Sequence, residues 1–222
     1  MRAFLLSLML LLAVAPAARA QALPGLLEGR DYRLVEGGAP YRNAPGKVEV
    51  AEVFAYWCPH CFRFEPMLQA WKRRLPASVR FVAVPMVAGP DDALGRAFFA
   101  AEAAGALPVL HGRLFDAIHR GGELPQRPDA AQVAAFVAGV PGIDHAAFRA
   151  AWGNDAGLRA RMAHAYQFAL RSDVPGTPSL VIDGRYLVLG NSYDALLANA
   201  DRVLAALAAR RVPPPAAAAS TP

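Results

Sequence analysis

The chain has 222 residues, 55% of them hydrophobic and 18% charged, with two cysteines and a formal net charge of +5. That apolar share is ample for a buried core and excludes disorder of the whole chain. Two cysteines are too few for a disulfide-stapled miniprotein, a four-thiolate zinc site or an iron–sulfur cluster, and no basic run exceeds Lys72-Arg73-Arg74, so the positive surplus does not point to nucleic acid.

In chain order, Met1-Arg2 gives a positive start, Phe4 to Val14 is an almost unbroken apolar stretch, and Ala18-Arg19-Ala20 places small residues where a signal peptidase reads them. This layout predicts a secretory signal peptide over residues 1–20, cleaved before Gln21. An uncleaved anchor is the alternative, but the apolar run of 11 residues is short of the roughly 20 that span a bilayer. Loss of Arg2 and Arg19 lowers the formal charge from +5 to +3. The mature protein is therefore expected to be mildly basic, to work in an oxidising compartment and to bind no nucleic acid.

Asp31 to Val35 reads as a short strand, followed by a Gly/Pro loop from Gly37 to Gly46. Lys47 to Ala55 is predicted as a strand on its Val and Phe content. Phe62 to Leu75 has helical apolar spacing, with Pro66 expected to kink it, and Val79 to Val84 reads as a second buried strand. Residues 91–172 are helical in pattern, with Asp91, Asp129 and Asp144 as N-cap or first-turn acids and Gly105, Gly121-Gly122, Gly139 and Gly153 near the breaks. Ser179 to Asp183 and Arg185 to Leu189 form a strand pair across Asp183-Gly184, a strong hairpin signal. A helix from Tyr193 to Arg210 precedes a Pro/Ala-rich, low-complexity tail. The order β–α–β, helical block, β–β–α describes an α/β domain with a helical insertion. A separate helical domain would leave the final hairpin without a sheet to join.

The chemistry concentrates at Cys58-Pro59-His60-Cys61, where a strand hands over to a helix. With Cys58 as N-cap and Pro59 at the first helical position, the Cys58 sulfur meets the unsatisfied amides and positive end of the helix. A thiolate is favoured there, so the thiol pKa is expected to fall, and His60 can add a donor or charge beside it. Cys61 lies one turn deeper on the same face and is expected to be the more shielded. Cys58 is thus the sulfur that attacks or is attacked, and Cys61 the one that resolves. Stabilising the Cys58 thiolate stabilises the reduced form and makes the disulfide a stronger oxidant. A structural bridge is the rival reading, although so small a loop constrains the unfolded chain weakly. Covalent haem needs a histidine after the second cysteine, where Phe62 stands. Zinc needs two more ligands, and His111 and His119 are badly spaced for it. No metal or organic cofactor is expected.

The segment from Glu52 to Cys61 (EVFAYWCPHC) resembles the active-site segment of the DsbA family of periplasmic thiol:disulfide oxidoreductases, and Val174 to Val181 (VPGTPSLV) resembles its cis-proline loop. In order of elements the resemblance covers nearly all of residues 30–210. It implies a thioredoxin fold with an inserted all-helical domain: residues 21–90 and 173–211 as the thioredoxin-like domain, 91–172 as the insertion, and 212–222 as a disordered tail. It implies a cis bond before Pro178, with Thr177 and Pro178 facing Cys58 and the open Thr177 edge positioning an extended substrate; Pro175 reads as an ordinary turn proline. It implies a monomeric periplasmic enzyme that gives its disulfide to newly exported proteins with free thiols and is reoxidised by a membrane quinone-linked partner, DsbB-like. A reductase or an isomerase could use the same fold, though the isomerases carry an added N-terminal dimerisation region for which Gln21 to Gly46 leaves no room. A secreted binding module with a structural disulfide is the non-enzymatic alternative.

Glu52, an acid inside an apolar strand, sits at a sheet edge or reaches water, or else, as the resemblance implies, lies under the disulfide and relays protons for Cys61. Relatives often place a lysine on the neighbouring strand, and here Ala83 stands at that place. His111, His119, His145 and His164 read as surface or satisfied residues. Trp57 reads as flanking the site, Trp71 and Trp152 as core packing, and Lys72-Arg73-Arg74 as a solvated helix end.

Overall fold

A computed structural model describes residues 22–43 and 45–211 of the chain. The expected signal peptide and the expected tail lie outside the described residues. Five strands form one sheet: β1 (Tyr32–Leu34), β2 (Val48–Phe54), β3 (Val79–Pro85), β4 (Ser179–Ile182) and β5 (Tyr186–Val188), in the order β1-β5-β4-β2-β3. The strand β2 runs parallel to β3, with Glu52 opposite Ala83, and antiparallel to β4, with Glu52 opposite Leu180. Flanked on both sides, all seven residues of β2 are buried, which is why it reads as a nearly continuous apolar run.

Helix α1 (Pro59–Lys72) connects β2 to β3. The helices α2 (Ala93–Ala103), α3 (Leu107–His119), α4 (Ala130–Ala138), α5 (His145–Trp152) and α6 (Asp155–Arg171) all fall between β3 and β4, and α7 (Tyr193–Arg211) follows the hairpin. On one sheet face Val48, Val50, Leu180 and Ile182 pack against Phe64, Leu68 and Trp71 of α1 and Ala200 and Val203 of α7. On the other, Ala51, Val53, Val82 and Val84 meet Phe98, Ala97 and Phe168 of the inserted helices. Two hydrophobic layers therefore clamp one sheet, and the insertion closes the second of them.

The helix boundaries follow local chemistry. Asp129 caps α4 in a reciprocal capping box with Gln132, and Asp144 accepts the Ala147 amide at the start of α5. For α2 the cap is Asp92, not Asp91, because its carboxylate accepts from both Leu94 and Gly95. Helix α1 starts at Pro59, earlier than the apolar spacing from Phe62 suggests, because Cys58 supplies the cap, and it continues through Pro66 to Lys72. The hairpin is shorter than expected. Asp183 and Gly184 both have positive φ (53° and 66°), as the central residues of a type I′ turn require, and the Arg185 amide closes the turn on the Ile182 carbonyl at 3.0 Å; with Arg185 they leave the ladder, in which Ile182 pairs with Tyr186.

Gly184 also touches the loop before β2: a Cβ there would lie 2.0 Å from the Ala39 carbonyl carbon. Gly184→Ala is therefore expected to cost at least about 1–3 kcal/mol, read as a fall in the urea midpoint. Asp183→Asn, which keeps a side chain tolerant of the left-handed region, should stay within about 0.5 kcal/mol. Equal losses at both positions would mean that the turn conformation, not the close approach, sets the cost.

Candidate active site

Cys58 ends a turn leaving β2, its amide bonded to the Ala55 carbonyl at 3.1 Å, and its own carbonyl accepts the Phe62 amide at 3.2 Å to open α1. As N-cap it has extended φ and ψ, Pro59 occupies the first turn, and no side chain caps the helix. The first-turn amides are thus left to the surroundings of the Cys58 sulfur. That sulfur lies 3.3 Å from the Thr177 carbonyl oxygen, since the pairing of β4 with β2 carries Thr177 and Pro178 to the same end of the sheet. The Thr177–Pro178 peptide is the cis bond found among the described residues.

The two cysteines are unbridged here, and the expected contrast in exposure is small: Cys58 is 4% and Cys61 1% exposed. Their surroundings separate them instead. Burial pushes the Cys61 thiol far above its ordinary range, and the neighbouring Cys58 and Glu52 push the same way. Cys58 has the helix terminus and the Thr177 edge.

His60 is exposed on the first turn and is held by two residues that composition and spacing did not single out. The Arg63 guanidinium lies 3.0 Å from its Nδ1. Arginine can only donate, so Nδ1 is the acceptor in this contact. From α7 the Tyr193 hydroxyl donates to the His60 carbonyl at 3.0 Å. A groove of about 480 Å³ is lined by His60, Thr177, Pro178 and Tyr193, and shares Thr177 with the Cys58 sulfur.

Glu52 is not at an edge; it is buried, 3% exposed, on an interior strand. Among the described residues its carboxyl makes no hydrogen bond. Burial pushes it up to about 8, with Glu65 adding to the rise and Lys72 opposing it. At neutral pH it therefore holds a proton, within electrostatic reach of Cys61. Glu49, the other buried acid of β2, differs: it accepts the Tyr41 and Arg42 amides at 2.5 and 2.7 Å.

The inserted helices reach the site through Tyr56, fully buried two residues before Cys58. Its hydroxyl meets His111 Nδ1 at 2.9 Å, and its carbonyl meets His119 Nε2 at 2.7 Å, both from α3. His111 Nε2 in turn faces Glu65 Oε1 at 3.4 Å. Burial works to raise the Glu65 carboxyl, but His111, Gln69 and Lys72 outweigh it and hold it below the usual carboxylate range. His111 and His119 are thus partnered, and His164 meets the Tyr41 carbonyl at 3.0 Å. Lys72 is not simply solvated, for its Nζ lies 4.3 Å from the Phe81 ring centre; Arg73 and Arg74 are exposed. Arg63 stands one turn from His60 and was legible in principle, whereas nothing local links Tyr56 with His111. Among the described residues no three side chains converge as metal ligands, and no helix is long and apolar enough to cross a membrane.

No protein-family model matches the chain. It is similar to the thiol:disulfide interchange protein DsbA of Azotobacter vinelandii, 38% identical over 71% of this chain and 72% of that protein. The DsbA of Pseudomonas aeruginosa is 34% identical over 84% of this chain and 86% of its own. Among solved structures, the oxidoreductase DsbA from Xylella fastidiosa superposes with a TM-score of 0.77 at 35% identity, covering 83% of this chain and 98% of that one. Pseudomonas aeruginosa DsbA gives 0.72 at 31% identity, over 82% and 96%.

The buried Glu52 has a consequence for stability. Its folded pKa is raised, so it favours the fold below the ordinary carboxyl range, and that contribution is lost as pH rises through about 8. Glu52→Gln should therefore gain stability over the parent progressively across that window, by on the order of a few kcal/mol at its alkaline end, in denaturant titrations of the reduced protein at several pH values. A pH-independent difference would show that Glu52 ionises normally in the fold.

Proposed function

The chain belongs to the DsbA family of thiol:disulfide interchange proteins, and we propose that Cys58 and Cys61 form the disulfide that it exchanges. It is a protein disulfide oxidoreductase, a dithiol oxidase with a thioredoxin fold and an inserted helical domain. Residues 21–90 and 173–211 make the thioredoxin-like domain in this reading and 91–172 the insertion. The observation that carries the site assignment is the place of Cys58: N-cap of α1, its sulfur 3.3 Å from the Thr177 carbonyl beside an open groove.

A substrate thiolate attacks the Cys58 sulfur along the groove, guided by the Thr177–Pro178 edge. The Cys58–Cys61 bond breaks, and Cys61 leaves and takes the proton that Glu52 holds. Glu52 thereby becomes a carboxylate, and a mixed disulfide joins Cys58 to the substrate. A second substrate thiolate attacks the substrate sulfur and expels Cys58 as a thiolate, which the α1 N-terminus and the His60 imidazole stabilise. Pro59 starts the helix without an unsatisfied amide. Two substrate thiols have become a disulfide, and the enzyme leaves with two reduced cysteines. A membrane quinone-linked, DsbB-like partner reoxidises it. We assign it to the periplasm as a monomer acting on exported, unfolded proteins. The signal-peptide pattern of residues 1–20 supports that location.

Cys58→Ala should abolish oxidation of a reduced, unfolded protein, whereas a Cys61→Ser variant should accumulate mixed disulfides on non-reducing gels, all of them dependent on Cys58. Iodoacetamide should label Cys58 in the reduced protein at mildly acidic pH and leave Cys61 almost untouched; the reverse order of labelling would exchange the two roles. Because the reduced form is the stabilised one, the dithiol protein should melt at a higher temperature than the disulfide form. A higher melting temperature for the disulfide form would make the bridge a structural one.

A further inference from the structure

Each turnover leaves the buried Glu52 short of one proton, and that proton has to come from solvent. Glu52 lies between β2 and α1, and its cross-strand neighbours, Ala83 and Leu180, offer no proton. The small Ala83 side chain instead forms part of the wall of a cleft of about 640 Å³, shared by Glu65 and Lys72 of α1 and His111 of α3. Glu65 and His111 are each 15% exposed, so both touch the buried interior and the water of the cleft. His111 is held by Glu65 on Nε2 and by the Tyr56 hydroxyl on Nδ1, with both ring nitrogens already in hydrogen-bonding positions. We propose that His111, paired with Glu65 across this cleft, is the proton relay that connects the buried Glu52 to solvent.

Of the titratable groups, Glu65 and Lys72 from α1 and His111 from α3 line this cleft, with Ala83 from β3; Glu52 and Tyr56 lie within electrostatic reach of Glu65, and Cys61 within reach of Glu52. Glu65 and Glu52 feel each other's charge, and Tyr56 feels both, so the three oxygen groups share one low-dielectric region. When Cys61 leaves as a thiolate it takes the Glu52 proton. The new Glu52 carboxylate then receives a proton through Glu65, which His111 Nε2 faces, and His111 takes one from water in the cleft in the same step, so that the imidazole ends as it began. No electron moves in this branch, and one proton passes from solvent to the Cys61 sulfur for each disulfide donated. Reoxidation sends the same proton outward. Imidazole suits the step because its two ring nitrogens let it take a proton on one side and pass one on at the other, and Glu65 keeps the ring oriented.

The inference rests on the role assigned to Glu52, and the test separates the two. The rate of disulfide donation to a peptide dithiol is measured near neutral pH in single-turnover mixing. His111→Ala should slow it on the order of tenfold or more, and free imidazole, small enough to enter the cleft, should restore much of the loss without accelerating the parent. His111→Gln, which can still hydrogen-bond Tyr56 but cannot carry a proton, should be as slow as His111→Ala. If His111 only braces Tyr56, the Gln variant recovers and imidazole does nothing. That result overturns the relay, as does a His111→Ala variant with the parental rate. Glu52→Gln is the companion arm. A parental rate there removes the Glu52 role itself, whereas a slow Glu52→Gln beside a fast His111→Ala removes only the exit.

Discussion

Everything at the site depends on β2 being paired on both sides. Its parallel ladder to β3 and its antiparallel ladder to β4 set the position of the strand end from which Cys58 projects, and the second ladder brings Thr177 to the same place. A redox pair on an edge strand would have one of these neighbours but not both. The same double pairing puts Glu52 on an interior strand, so one arrangement of hydrogen bonds sets both the position of the Cys58 sulfur and the burial of the acid on the strand before it. The exchange chemistry therefore draws its two main physical resources, a helix terminus for an anion and a dry pocket for a proton, from one strand.

The site is also more of a joint product of the two folding units than its position in the thioredoxin-like part suggests. Tyr56 is gripped through its hydroxyl and its carbonyl by two histidines of α3, and Phe54 and Phe115 pack edge-on against its ring, with Phe98 edge-on to Phe54. Such contacts fix a ring in orientation as well as depth. The inserted helices thus act on the active-site turn from below, while α7 acts on it from the side through Tyr193.

Much of this was legible in the residues, and the reasons are local ones. The caps at Asp129 and Asp144, the Asp183-Gly184 turn and the N-cap place of Cys58 are each decided within a few residues, and sequence reasoning found them. It chose Asp91 over Asp92 because both are competent caps and only backbone geometry selects between them. Lys72 read as a solvated charge because its contact with Phe81 crosses from helix to strand. The histidines of α3 read as bland because their partners lie more than forty residues away and share no periodicity with them. The burial of Glu52 was undecidable from β2 alone, since strand order, not strand composition, determines which strands are interior.

The position of the insertion has one more consequence, for the order in which the molecule is made. The parallel pair β2–β3 and the helix between them occupy a short stretch of chain, but the β2–β4 ladder cannot close until the whole of α2 to α6 has been synthesised. Contacts so distant along the chain carry a large loop-closure cost that is met only when the intervening block is already compact. During synthesis the cysteines therefore emerge early and lack the Thr177 edge that lies against Cys58 in the finished fold. The oxidant comes into being late in its own folding, after the block that separates its two halves has condensed.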